Sequence, residues 1–174
     1  MLEPLDRARE IRVVAFDVDG VLTDGSLYLG DDGQEYKAFY SRDGHGMAML
    51  RDSGVALAVI TGRRSEVVRI RMESLGVEYV FQGCREKLPA YETLKRQLGV
   101  DDAQIAFVGD DVMDLPPLRR AGLAVAVADA HPLVRQHAHW CTPSPGGRGA
   151  ARDVCELILH ARGQLDALHA AYLS

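Results

Sequence analysis

The chain carries five short apolar runs rich in β-branched residues, IRVVAF, VALAVIT, VEYVF, QIAFVG and LAVAVA, and none of them alternates apolar with polar positions. A strand with one solvated face alternates, so uninterrupted runs predict strands covered on both faces, as in a parallel sheet. Helix-length segments separate the runs, at about 44–53, 64–75, 86–98, 112–121 and 131–137. A last one spans about 150–170, where Val154, Leu157, Ile158, Ala161, Leu165 and Leu168 keep helical spacing. Such alternation predicts a doubly wound α/β fold with a parallel sheet, in which ligands bind beyond the carboxyl ends of the strands.

One segment departs from the pattern. LYLGDDGQEYKAF has two β-prone arms around Asp31-Asp32-Gly33-Gln34, which predicts a projecting hairpin over about 27–40. Leu27, Leu29, Tyr36, Phe39 and Tyr40 give that ribbon more apolar surface than it can hide by itself. Either its own domain or another subunit covers it, and the sequence favours neither.

The length of 174 residues, with 47% apolar content and no repeat or low-complexity tract, predicts one domain over 1–174, its C-terminal tail and helix occupying about 143–174. A net charge of -5 argues against a broad basic face and hence against nucleic acid as partner. The N-terminus MLEPLDRAREIR lacks the apolar core of a signal peptide and no apolar run is long enough to span a bilayer, so a cytoplasmic protein without membrane contact is expected. Cys84, Cys141 and Cys155 are odd in number and lack CxxC spacing, which fits reduced, packed thiols rather than a zinc site or disulfide frame.

The polar residues that follow the strands carry the chemistry. After IRVVAF come Asp17 and Asp19, after VALAVI come Thr61, Gly62 and Arg63, and after QIAFV come Gly109, Asp110 and Asp111, with Asp114 one helical turn onward. Taken singly, each cluster suits a turn, a strand exit or a helix cap. Three clusters on one rim of a parallel sheet predict a site. Two carboxylates at about 4 Å repel by roughly 4 kcal/mol at an effective dielectric near 20, so a cation belongs between them. Oxygen ligands without His or Cys suit Mg2+, with Asp17 and Asp110 as the main ligands. Asp17 can also attack phosphorus to form an aspartyl-phosphate, and Asp19 can serve as general acid and base.

Asp17-Val-Asp19-Gly-Val-Leu-Thr23, Thr61-Gly62, Lys87 downstream, and Gly109-Asp110-Asp111-Val-Met-Asp114 resemble, in order and separation, the four motifs of the haloacid dehalogenase superfamily of phosphatases. The resemblance implies a Rossmann-like fold and a phosphoric monoester hydrolase. It makes Asp17 the nucleophile, Asp19 the acid and base and a metal ligand through its backbone carbonyl, and Thr61 a phosphate ligand. Lys87, by itself an ordinary surface lysine, becomes the charge neutraliser, Asp110 a magnesium ligand, and Asp111 and Asp114 supports behind the ligands. The gaps between motifs leave no room for a large cap domain, which narrows the resemblance to the capless branch.

Within that branch the chain is similar to the family acting on 3-deoxy-D-manno-octulosonate 8-phosphate, a phosphorylated keto-sugar acid of lipopolysaccharide biosynthesis. The stretches that carry the likeness are Ser41-Arg42-Asp43-Gly44-His45-Gly46, Thr61-Gly62-Arg63, Val125 to Pro132, and Gly146-Gly147-Arg148-Gly149 with Arg152. It implies a homotetramer built through the hairpins, a lid lent by a neighbour, and a tail that reaches an active site. Arg63 and Arg71, eight apart on a helix expected to begin near Arg64, are placed on one face toward an anionic sugar acid. Arg148 and Arg152 are carried on a Gly-rich stretch that either swings toward substrate or simply starts the last helix. His45, His131, His137 and His139 are left outside the site, and Asp24 is read as a support of the loop into the hairpin. A phosphatase of nine-carbon keto-acid 9-phosphates is the near alternative, disfavoured because its relatives carry an acidic residue where this chain has Arg63. A phosphotransferase and a non-catalytic assembly module are the more distant ones.

Overall fold

In the computed structural model, which describes residues 3–173, six parallel strands form the central sheet. They are β1 (Val13–Phe16), β4 (Ala56–Ile60), β5 (Tyr79–Phe81), β6 (Ile105–Gly109), β7 (Leu123–Ala126) and β8 (Trp140–Cys141), in the spatial order β5-β4-β1-β6-β7-β8. The expected doubly wound α/β fold is the one observed. The chain leaves β1 toward β4 and β5 and then returns to the other side through β6, so the strand order reverses at β1. In open α/β sheets that switch point is where ligands bind. Phe16 lies opposite Val59 on one side and Val108 on the other, so the residues that follow β1, β4 and β6 emerge on the same rim.

The strands are buried on both faces because helices cover both sides: Val13, Val14, Ala15 and Phe16 of β1 and Ile105 to Val108 of β6 have no exposure. Around the sheet lie α1 (Pro4–Arg9), α2 (Ser41–Asp52), α3 (Glu66–Ser74), α4 (Leu88–Leu98), α5 (Leu115–Leu118), α6 (Pro132–His137), α7 (Ala150–Ala161) and α8 (Leu165–Ala170). Among the described residues no helix is long and apolar enough to cross a membrane.

Four features differ from the sequence pattern. The segment expected to be one helix over 150–170 is two, because Gly163 takes φ +70° and the Gln164 N–H bonds back to the Leu159 carbonyl, closing α7. Leu165 and Leu168 continue the apolar spacing of α7, which is why the break does not show in the periodicity. The segment over 112–121 is a 3-10 turn, Val112–Asp114, followed by the single turn of α5. Helix α3 begins at Glu66, so Arg63 stands on the loop ahead of it and shares no helix face with Arg71. Both α1 and β8 are too short to carry a periodic signal.

The hairpin is formed by β2 (Tyr28–Leu29) and β3 (Glu35–Tyr36), closed by a bond from the Gly30 N–H to the Gln34 carbonyl. Phe39 at its base packs on the core, but Leu27, Tyr28, Leu29 and Tyr36 are half-exposed or more. The chain thus covers the root of its hairpin and leaves the arms bare.

Candidate active site

Asp17, the first residue past β1, is buried, and its Oδ1 accepts the N–H of Val18 at 2.7 Å. Its Oδ2 lies 2.9 Å from Nζ of Lys87, which sits just ahead of α4 and is itself buried. The same Nζ donates to Asp114 Oδ1 at 2.5 Å. Asp114 Oδ2 in turn accepts the backbone N–H groups of Asp110 and Asp111, at 2.9 and 3.2 Å. With both its oxygens engaged, Asp114 fixes the lysine and the loop after β6 rather than facing outward. Asp111 is exposed and caps the following turn by accepting the Val112 N–H.

Asp110 completes the cluster. Oxygens of Asp17, Asp110 and Asp114 all fall within 4.8 Å of one another. Among the described residues, Asp110 Oδ1 is buried with no hydrogen-bond partner. A buried carboxylate oxygen without a partner is costly, and the oxygen-only donor set around it suits a hard divalent cation such as magnesium. Burial, with the charges of Asp114 and Asp17, pushes Asp110 up to about 8. Burial and Asp114 likewise push Asp17 up to about 6, against the lowering effect of Lys87. Burial opposes the charge on Lys87, but Asp17 and Asp114 outweigh it and hold its pKa above the ordinary value. Three carboxylates share one ammonium here, and a divalent ion would supply the missing positive charge. Gly20 makes the approach possible: it takes φ +88°, and a Cβ there would fall 2.1 Å from Asp110 Oδ2.

These groups open into a cavity of about 390 Å³ lined by Asp17, Asp19, Thr61, Gly62, Arg63, Arg85, Lys87, Asp110, Asp111, Met113 and Asp114. Thr61 is buried and hangs between a bond to Phe81 and one from Cys84, both through its backbone. Asp19 is turned toward the hairpin, where Lys37 donates to its Oδ1 and Arg63 stands 3.9 Å from its Oδ2.

Seven further residues named from the sequence lie outside this cavity. Arg71 packs its guanidinium over Phe39, 5.9 Å from the ring centroid, and against Gly44. Ser41 and Arg42 are exposed at the start of α2. Asp43 is buried and accepts the N–H groups of Arg152 and Gly149, at 2.9 and 3.4 Å, so it caps α7 from across the fold. Burial raises its pKa in spite of those two bonds. Arg152 is paired with Glu156, and Arg148 is exposed, 3.8 Å from Asp24. The Gly-rich stretch is no free arm: Gly147 N–H bonds to the Val21 carbonyl at 2.8 Å, and a Cβ on Gly146 would fall 1.8 Å from the Gly20 carbonyl oxygen. Asp24 accepts the Ser26 N–H on the way into the hairpin.

Residues 79–152 match the family model of haloacid dehalogenase-like hydrolases. A 3-deoxy-D-manno-octulosonate 8-phosphate phosphatase of Yersinia pestis is 46% identical over 162 residues, which is 93% of this chain and 87% of the relative. The chain belongs to the 3-deoxy-D-manno-octulosonate 8-phosphate phosphatase family. A solved member of this phosphatase family from Moraxella catarrhalis, in complex with magnesium, phosphate and KDO, has a TM-score of 0.95 at 40% identity and covers 97% of each chain. The cobalt-bound Haemophilus influenzae member has a TM-score of 0.92 at 38% identity, covering 97% of this chain and 99% of its own.

Three residues around the cavity are not singled out by the sequence: Arg85 and Met113, which line it, and Lys37, which bonds Asp19 from the hairpin. Arg85 and Met113 lie one or two residues from motif positions, and closeness in sequence was the available signal. Lys37 gave none, since an isolated lysine in a ribbon reads as solvated.

Proposed function

We propose that this protein is a magnesium-dependent phosphatase that hydrolyses 3-deoxy-D-manno-octulosonate 8-phosphate to KDO and inorganic phosphate, in lipopolysaccharide biosynthesis. The observation that carries this reading is the buried Asp17–Lys87–Asp114 chain with the unpartnered Asp110 oxygen beside it.

An Asp17 carboxylate oxygen attacks phosphorus, and the bond from phosphorus to the sugar's ester oxygen breaks. Asp19 gives its proton to that departing oxygen, so the sugar leaves as an alcohol. Asp19, now a carboxylate, takes a proton from water as the water attacks the aspartyl-phosphate, and inorganic phosphate leaves with Asp17 restored. Lys87, fixed by Asp114, faces the charge that gathers on the phosphoryl oxygens, joined by the Thr61 hydroxyl and the backbone at Gly62. Magnesium, held by Asp17, Asp110 and the backbone carbonyl of Asp19, neutralises phosphoryl charge when bound. Asp111 and Asp114 keep the Asp110 loop in place.

Arg63 is the side chain of the cavity that we assign to the substrate's sugar acid. Of the residues outside the cavity, Ser41, Arg42 and Arg148 are exposed and would reach a substrate only if subunits assemble, whereas Asp43 caps α7, Arg71 packs on Phe39 and Gly44, and Arg152 pairs with Glu156. The bare arms of the hairpin support an interface between copies of the chain, which we read as that of a homotetramer. From composition and length we place the protein in the cytoplasm, as one domain over 1–174.

The test is phosphate release by the purified protein with magnesium, from eight-carbon and nine-carbon keto-acid phosphates and from hexose phosphates. Preference for the eight-carbon compound is expected. Preference for the nine-carbon compound would replace the substrate, and no turnover of any would remove the phosphatase reading.

A further inference from the structure

Asp19 and Arg63 are both held from behind by one element, the projecting hairpin. Lys37, just past β3, donates from Nζ to Asp19 Oδ1, and the same Nζ lies 3.3 Å from Glu35 Oε1. Glu35, within β3, accepts from Arg63 Nη2 at 2.8 Å. The four side chains thus form a closed alternation of charge, Asp19–Lys37–Glu35–Arg63, completed by the 3.9 Å approach of Arg63 Nε to Asp19 Oδ2. Asp19 and Arg63 line the cavity, whereas Lys37 and Glu35 do not.

The exposure of the four decides what the two hairpin residues are for. The Lys37 side chain is 1% exposed, although it stands on a ribbon whose apolar side chains Leu27, Tyr28, Leu29 and Tyr36 face solvent. Burying an ammonium is costly unless carboxylates meet it, and this one meets two. A solvated ribbon gains nothing by turning a lysine inward, so the inward turn has to be explained by what the lysine holds. Among the described residues, Asp19 has no other side-chain partner within hydrogen-bond distance, and Arg63 has none but Glu35.

We propose that Lys37 and Glu35 are positioning residues: Lys37 fixes the orientation of the Asp19 carboxylate for proton transfer, and Glu35 fixes the Arg63 guanidinium for the substrate's anionic sugar acid. Neither touches substrate. The hairpin then has two surfaces with different duties, bare apolar arms outward and a charged pair inward that aligns the mouth of the site. Whatever seats the hairpin also seats Asp19 and Arg63. This inference rests on the phosphatase reading, because it gives Asp19 the proton.

The two residues act on different partners, so their variants separate. Steady-state kinetics of Lys37→Met, Lys37→Arg and Glu35→Gln are measured with the eight-carbon keto-acid phosphate and with p-nitrophenyl phosphate, which has no carboxylate, alongside thermal unfolding of each variant. Lys37→Met is expected to lose about 100-fold in kcat on both substrates with KM changed little, the scale of loss from a slightly misplaced catalytic group. Lys37→Arg, which keeps the charge, is expected to recover at least part of that loss. Glu35→Gln is expected to raise KM about tenfold for the sugar acid phosphate and not for p-nitrophenyl phosphate, as loss of an oriented charge contact does. Wild-type kcat in Lys37→Met, or a KM rise common to both substrates in Glu35→Gln, would overturn the assignment and leave the pair as supports of the hairpin alone. Should Lys37→Met not yield folded protein, Lys37→Gln decides: a wild-type kcat and KM with an unchanged melting temperature contradicts positioning, and a kcat-only loss supports it. Failure of the wild-type protein to release phosphate from either substrate is the separate outcome that sinks the underlying phosphatase reading.

Discussion

Lys87 Nζ meets Asp114 Oδ1 at 2.5 Å with both side chains almost wholly removed from solvent. Asp17 Oδ2 meets the same ammonium at 2.9 Å. One lysine therefore separates two buried carboxylates, one of which faces the cavity and one of which holds the loop of Asp110.

Replacing that lysine leaves two like charges with nothing between them. Lys87→Met is expected to lower kcat by about 10²–10³-fold, the scale seen when an oxyanion-stabilising donor is removed. Its stability should also drop by about 3–5 kcal/mol in chelator, as when a buried pair is broken from one side. Urea unfolding beside a kinetic assay measures both, and a variant with unchanged kcat would contradict the role given to Lys87.

Asp114→Asn keeps the shape but weakens the hold on Lys87 and on the N–H groups of Asp110 and Asp111. Magnesium affinity is expected to fall by about 10–100-fold, as for other supports behind a metal ligand. The magnesium dependence of kcat reads this directly.

The crowded carboxylates give the metal-free protein a distinctive pH response. Asp17 and Asp110 are raised by burial and by neighbouring charge, Asp110 to about 8. The folded state then binds protons more tightly than the unfolded chain, so this contribution to stability is complete below the unfolded pKa of about 4 and is lost as pH rises through the folded values of about 6 and about 8. In chelator the melting temperature should decline between these limits. With saturating magnesium, which favours the ionised carboxylates, the decline should flatten or reverse. Parallel curves with and without metal would contradict a magnesium site at Asp17 and Asp110.

Gly146 tests the seating of the loop that carries Asp19. Its missing Cβ would fall 1.8 Å from the Gly20 carbonyl oxygen, which is rigid backbone. Gly146→Ala is expected to cost about 1–3 kcal/mol, as overpacking does, and to lower kcat by moving the loop. Equilibrium unfolding with kinetics checks this, and a neutral variant would show that the loop gives way freely.

Much of this arrangement could be read from the chain because of where parallel strands end. Asp17, Thr61 and Asp110 each follow a buried run, and in a doubly wound sheet such runs deliver their next residues to one rim. Lys87 was legible only through motif resemblance, since its burial depends on Asp17 and Asp114, far away in sequence. Lys37 escaped because its partner Asp19 lies across a ribbon whose fold-back no periodicity reports. Asp43 read as a substrate residue beside the hairpin, while in the fold it caps α7, a contact over 109 residues to Arg152. Arg71 was placed beside Arg63 by assuming one helix through both, and the late start of α3 at Glu66 undid that geometry.

The central claim is that Asp17 attacks phosphorus. Rapid-quench mass spectrometry of the enzyme, mixed with magnesium and 3-deoxy-D-manno-octulosonate 8-phosphate and stopped in acid, tests it most directly. The account predicts a phosphoryl group on the peptide that contains Asp17, absent in Asp17→Asn, which folds normally and releases no phosphate. Full turnover by Asp17→Asn, or a phosphoryl group trapped on another residue, would contradict it.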